Sequence, residues 1–174
     1  MDTYNLISLT DISEQVRPCY VDEDVAAACI QEAQNIDMRT QLGDALFAAI
    51  FAEGATSTRI DALLEPRTFS GCGCDAYRIH FGLRKVLCYY AYARIVKTGT
   101  NVQTRYGMVA KTDEYSDHTS LKERVAAADD ALATADAYMK DVIDYITANK
   151  ETYPEYSKNG RMYNNAARFR MIGR

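Results

Sequence analysis

Two thiols and an imidazole are the residues of this chain best equipped for chemistry. Cys72 and Cys74 flank Gly73, His80 lies six residues further on, and Cys88 eight beyond that. These are the donor types that bind zinc, but structural zinc sites are usually built from two C-x₂₋₄-C or H-x₃₋₅-H pairs. Here the first pair is C-x-C, no second pair follows, and Cys88 sits in an apolar run. Cys72, Cys74 and His80 are therefore weak metal candidates, and the expectation is no metal and no cofactor. A glycine-rich turn carrying two small thiols accounts for the same residues. Redox work needs a C-x-x-C at a helix N-terminus, which is absent.

Other catalytic arrangements fare no better. Nucleophilic catalysis needs a base beside a serine or cysteine, and the two histidines, His80 and His118, sit in no such signature. Gly71-Cys72-Gly73 lacks the Lys-Ser/Thr of a phosphate loop. The acid pairs Asp129-Asp130 and Asp141 with Asp144 fall on the polar side of a helical pattern and read as a solvated face. No enzyme is expected.

The elements that would position such groups are mostly helical. The stretch Gly82 to Ser116 organises the chain. Its first half is apolar all round, the mark of a helix enclosed by others, so Tyr77 to Thr98 is read as a central helix closed by Gly99. Asn101 to Thr112 is different. Val102, Thr104, Tyr106 and Met108 alternate with Gln103, Arg105 and Gly107, the period of a strand, which predicts a β-hairpin-like arm over 99–117. Ser120-Leu121-Lys122-Glu123 is a capping box. It opens a helix to about Asn149 whose apolar positions Leu121, Val125, Ala128, Leu132, Ala135, Met139, Val142 and Ile146 form one seam. That seam is expected to pack on the central helix; the alternative is that part of it packs on another subunit.

Upstream, Thr10 is expected to cap a helical turn that Pro18 ends, and Asp22 or Asp24 to cap the next helix. Asp37 is read as an interruption between that helix and one closing at Gly54. Thr58-Arg59-Ile60-Asp61 opens a short helix that stops at Pro66. Residues 67–75 read as a loop. The resulting fold is mainly α: a bundle of four to five helices in one domain, residues 1–157, with a protruding arm and an extended tail, residues 158–174.

Charge divides along the same line. Lys158, Arg161, Arg168, Arg170 and Arg174 give the tail +5 with no acid, and removing that from the chain's −4 leaves −9 on residues 1–157. An acidic body is a poor general ligand for nucleic acid, which needs a positive face. The tail's last residues, Arg168-Phe169-Arg170-Met171-Ile172, alternate basic and apolar like a strand that joins a partner's sheet. No apolar run reaches the ~18 residues of a membrane helix. MDTYNLISLTD has neither the basic nor the apolar part of an export signal, and five irregularly spaced cysteines suit a reducing, cytosolic setting.

Taken in order, several short motifs resemble the head–tail connector (adaptor) proteins of tailed bacteriophages, in the form found in Bacteroides phages, prophages and crAss-like phages. They are Ile30-Gln31-Glu32-Ala33-Gln34, Asp37-Met38, Leu42-Gly43-Asp44-Ala45-Leu46, Gly82-Leu83 opening the Tyr-rich helix to Ala93-Arg94, Thr104 to Lys111 (TRYGMVAK) with Ser116, and Tyr153-Pro154. The likeness spans about residues 9–156. It implies an α-helical virion protein, assembled in the host cytoplasm, that forms a ring at the neck, typically of twelve copies, beneath the portal protein. Such a ring extends the DNA channel, passes genomic DNA as cargo, and docks the next tail or neck protein. On that footing Arg168, Phe169, Arg170, Met171 and Ile172 are expected to bind the portal, and Val102, Thr104, Arg105, Tyr106, Met108 and Lys111 to face a neighbouring subunit or the lumen. The alternative is a helical nucleic-acid-binding or DNA-packaging accessory protein acting through the basic tail.

Overall fold

The computed structural model describes residues 4–54, 56–70, 77–98, 101–104, 107–110 and 120–156. Their order is α1 (Leu9–Gln15), α2 (Glu23–Glu32), a π-helical segment (Ala33–Met38), α3 (Arg39–Leu42), α4 (Asp44–Glu53), α5 (Thr58–Leu64), β1 (Arg67–Ser70), β2 (Tyr77–His80), α6 (Leu83–Thr98), β3 (Asn101–Thr104), β4 (Gly107–Ala110) and α7 (Leu121–Ala148). The protein is a mainly α-helical bundle with small antiparallel hairpins, the class the apolar periodicity predicts.

α6 is the centre. Leu83, Val86, Leu87, Cys88, Tyr90, Ala91, Ala93 and Ile95 are all buried, so it is enclosed on several sides. It packs on α7, α2, the π segment and α1. The α6–α7 pair is antiparallel, because Phe81 just before α6 meets Tyr138, Tyr90 bonds Asp136, and Ala93 packs with Ala128 and Ala131. Those alanines let the two backbones approach closely. Further along α7, Ala135, Met139, Val142 and Ile146 join the main core with Leu46, Ile50, Ile60 and Leu63. Burying each such large aliphatic chain contributes roughly 1.5–3 kcal/mol.

Local chemistry explains where the elements begin and end, and corrects several expectations. α1 is capped by Ser8, not Thr10: Asp11 N–H donates to Ser8 Oγ at 3.2 Å and Ser8 N–H to Asp11 Oδ2 at 2.7 Å. Asp37 does not break the chain. The helix passes through the π segment into α3 and ends at Gly43, whose φ of 80° suits glycine. Asp37 is instead gripped by Arg94 of α6, Nε to Oδ2 at 2.7 Å and Nη2 to Oδ1 at 3.1 Å. The π segment also carries Gln34, fully buried, whose amide accepts from Leu6 N–H at 3.1 Å and donates to Tyr4 O at 3.0 Å. The N-terminal segment is thereby tied to the core.

The central helix starts at Leu83, six residues later than expected, because Tyr77–His80 is a strand. It pairs with Arg67–Ser70, so a second hairpin stands where a loop was read: Arg67↔His80, Thr68↔Ile79, Phe69↔Arg78 and Ser70↔Tyr77. Gly82 makes the corner. Its φ is 82°, and a Cβ there would lie 2.2 Å from Leu64 O. The Ser120 capping box forms as expected, with Glu123 N–H to Ser120 Oγ at 3.3 Å.

Candidate interaction surfaces

Of the three weak metal candidates, the β1–β2 register places His80. His80 pairs with Arg67 at the end of the hairpin away from its connecting loop. At ~3.3 Å per residue, His80 lies about 10 Å along the strand from Tyr77, where that loop begins. Cys72 and Cys74 lie outside the described residues. Cys88 faces the core from α6, and burial pushes its thiol up to about 12, far from a reactive thiolate. Among the described residues no group of histidines, cysteines and acids is arranged to hold a metal ion.

What His80 does is structural. It is fully buried, with its ring 4.3 Å from that of Tyr145 on α7 and 6.2 Å from Phe69 on β1. Its Nδ1 accepts from Gly82 N–H at 3.2 Å, while Nε2 is buried with no partner among the described residues. Burial, then the nearby Arg67 charge, lowers its pKa to about 4. Next to it, Arg78 reaches from β2 to α7, Nη1 to Asp144 Oδ2 at 2.8 Å and Nη2 to Asp141 Oδ1 at 3.4 Å. Asp141 and Asp144, read from the sequence as a solvated face, therefore hold the hairpin to α7. On the outer face Tyr77 is 82% and Ile79 51% exposed, opposite the exposed Ser70 and Thr68.

The expected arm is present as the β3–β4 hairpin, with Asn101↔Ala110, Val102↔Val109, Gln103↔Met108 and Thr104↔Gly107. Arg105 and Tyr106, between the paired strands in sequence, lie outside the described residues, as do 111–119, Lys111 among them. Among the described elements, the principal packing of each arm strand is with the other.

The α7 seam divides into two parts. From Ala128 to Ile146 it is buried against the bundle, with Ala131 added to the predicted set. Leu121 and Val125 are 67% and 37% exposed. α7 has 28 residues and α6 has 16, so its first turns extend past the end of its partner.

A feature that the sequence pattern did not single out fastens the chain where the tail leaves. Arg59 of α5 bridges Glu53 of α4 and Glu155: Nε donates to Glu53 Oε2 at 2.8 Å, Nη2 bonds Glu53 Oε1, and Nη2 meets Glu155 Oε1 at 2.9 Å. Its Nη1 also donates to Thr152 O at 3.0 Å. The hydrogen bond from Arg59 holds the Glu53 carboxyl down at about 2 and that of Glu155 below its usual range. Tyr153, in the Tyr153-Pro154 pair, is buried beneath this clasp. Residues 158–174, with the expected portal-binding positions Arg168 to Ile172, lie outside the described residues.

Residues 41–165 match a family described as a family of unknown function (DUF6712). The match spans more than half of the chain, from α3 through both hairpins and α7, and the chain belongs to that family. No curated protein and no solved structure matches it.

Proposed function

We propose that this member of the DUF6712 family is a structural virion protein, a head–tail connector that forms a ring beneath the portal of a tailed phage. The observation that carries this reading is the position of the β3–β4 hairpin. It is inserted between the two longest helices of the bundle and packs chiefly on itself. A two-stranded ribbon is marginal alone, and its open edges invite pairing with another chain. A bundle that presents such a ribbon supports a contact role for the arm. Head-to-tail packing in a ring would give each subunit two different contact faces. The exposed Leu121 and Val125, beside the arm in sequence, add apolar surface to the same end.

On this reading the chain is not an enzyme and needs no cofactor. The clasp around Arg59 fixes the root of the tail, and the tail reaches the portal. The acidic body does not grip DNA passing through the lumen. The +5 charge of residues 158–174 favours one competing reading, an accessory protein that binds nucleic acid through the tail. Truncation after residue 157 separates the two. A connector loses attachment to the portal and keeps its helicity. An accessory protein loses a salt-dependent affinity for DNA, which falls steeply as salt rises.

A further inference from the structure

The β1–β2 hairpin is held to the bundle by a small number of contacts, and one of them contains a group that changes charge. His80 lies between Arg67 across the strand pair and Tyr145 on α7, two residues before the Gly82 corner. Because Nδ1 accepts the Gly82 N–H, the neutral ring carries its proton on Nε2, which has no acceptor among the described residues. A second proton can enter only at Nδ1. It would set an N–H against the N–H of Gly82 and bring a positive charge into an apolar slot beside Arg67.

The charged and titratable groups around this slot do not offset that charge directly. On β1 there is Arg67, whose Nη2 is 3.3 Å from Asp61 Oδ2 of α5. On α7 there are Tyr145, stacked on the ring, and Asp141 and Asp144, both engaged by Arg78. Tyr153, beyond Tyr145, donates its hydroxyl to Arg59 O.

We propose that His80 is an acid-operated latch: protonation at Nδ1 breaks its bond to Gly82 and releases the β1–β2 hairpin from α7 while the helical bundle stays folded. Release exposes Phe69, now buried, and enlarges the apolar surface already offered by Tyr77 and Ile79. The hairpin meets α7 only near its C-terminal end, through Asp141, Asp144 and Tyr145 among the described residues, and is joined to α6 through the glycine corner.

The sign follows from linkage. The ordinary imidazole value is 6.5 and the docked value about 4. The open state binds the proton more readily, so docking is at full strength above 6.5 and weakens as pH falls, by up to ~300-fold once pH is below 4. The chain has two histidines, so an NMR titration of imidazole-labelled full-length protein resolves two resonances. Hydrogen exchange of the β1–β2 amides is followed over the same pH range, at pH-corrected intrinsic rates.

The expected result is a His80 resonance titrating near pH 4, with β1–β2 protection lost in step while α6 and α7 amides remain protected. His80→Asn keeps an acceptor for Gly82, and His80→Phe keeps a ring against Tyr145. In whichever of the two folds, the hairpin should stay docked at pH 4. Titration of His80 with the hairpin still protected, whether near 4 or near 6.5, would overturn the proposal. So would simultaneous loss of hairpin and bundle, or opening of the folded variants at the same pH as the parent protein.

Discussion

The hydroxyl of Tyr153 donates to the backbone carbonyl of Arg59 at 2.7 Å, across 94 positions of sequence. Arg59 in turn holds Glu53 and Glu155 with its guanidinium. One residue of α5 thus secures the C-terminal segment through both its backbone and its side chain. Tyr153→Phe should cost about 1 kcal/mol, the usual net value of one such bond. Arg59→Met removes the charge between two carboxylates and should cost about 1–3 kcal/mol. Chemical denaturation measures both, and limited proteolysis of Arg59→Met should show faster cutting after α7 with α6 and α7 intact.

The same clasp has a defined acid limit. The Glu53 carboxyl, ordinarily at 4.5, is held at about 2, so the stabilisation is present above 4.5 and lost as pH falls through 2. Amides of Tyr153 and Tyr156 should therefore remain protected at pH 4. Loss of their protection at that pH would show that the clasp does not hold the segment.

At the corner before α6, Gly82→Ala should be among the most damaging single changes. The positive φ disfavours any side chain, and the added Cβ meets the Leu64 carbonyl at 2.2 Å. A loss of roughly 3 kcal/mol or more is expected. A melting temperature within a few degrees of the parent would contradict this.

The two parts of the α7 seam should respond in opposite ways. Ala131→Leu overpacks the α6–α7 contact and should cost about 1–3 kcal/mol. Leu121→Asp and Val125→Asp lie on the exposed part and should change monomer stability by about 0.5 kcal/mol or less. If that end contacts a neighbouring subunit, these two variants should still fold and fail to assemble.

Much of the bundle was legible in the sequence because helices write their burial as a period. The buried character of α6, the Ser120 box and the lower seam from Ala128 to Ile146 follow directly from that period. The first hairpin was not legible. Tyr77 to His80 is four residues long, and its tyrosine, isoleucine and histidine run into an apolar helix without a break in composition. Only the positive φ of Gly82 separates them, and one glycine beside a leucine is a weak stop signal. The Asp37 reading failed for another reason: its partner, Arg94, is 57 residues away. The partners of Arg59 and Arg78 at Glu155 and Asp144 were missed for the same cause, since ion pairs made across the fold leave no local pattern. The arm was found by its alternation, which strands carry as a period of two.

The central claim is that this chain forms a ring on a portal. Negative-stain imaging of the purified protein mixed with the portal protein of the same phage tests it most directly. If the chain is such a connector, the portal rings carry an added ring of density that is absent when residues 158–174 are removed. Portal rings that remain bare in excess of the full-length protein would contradict it.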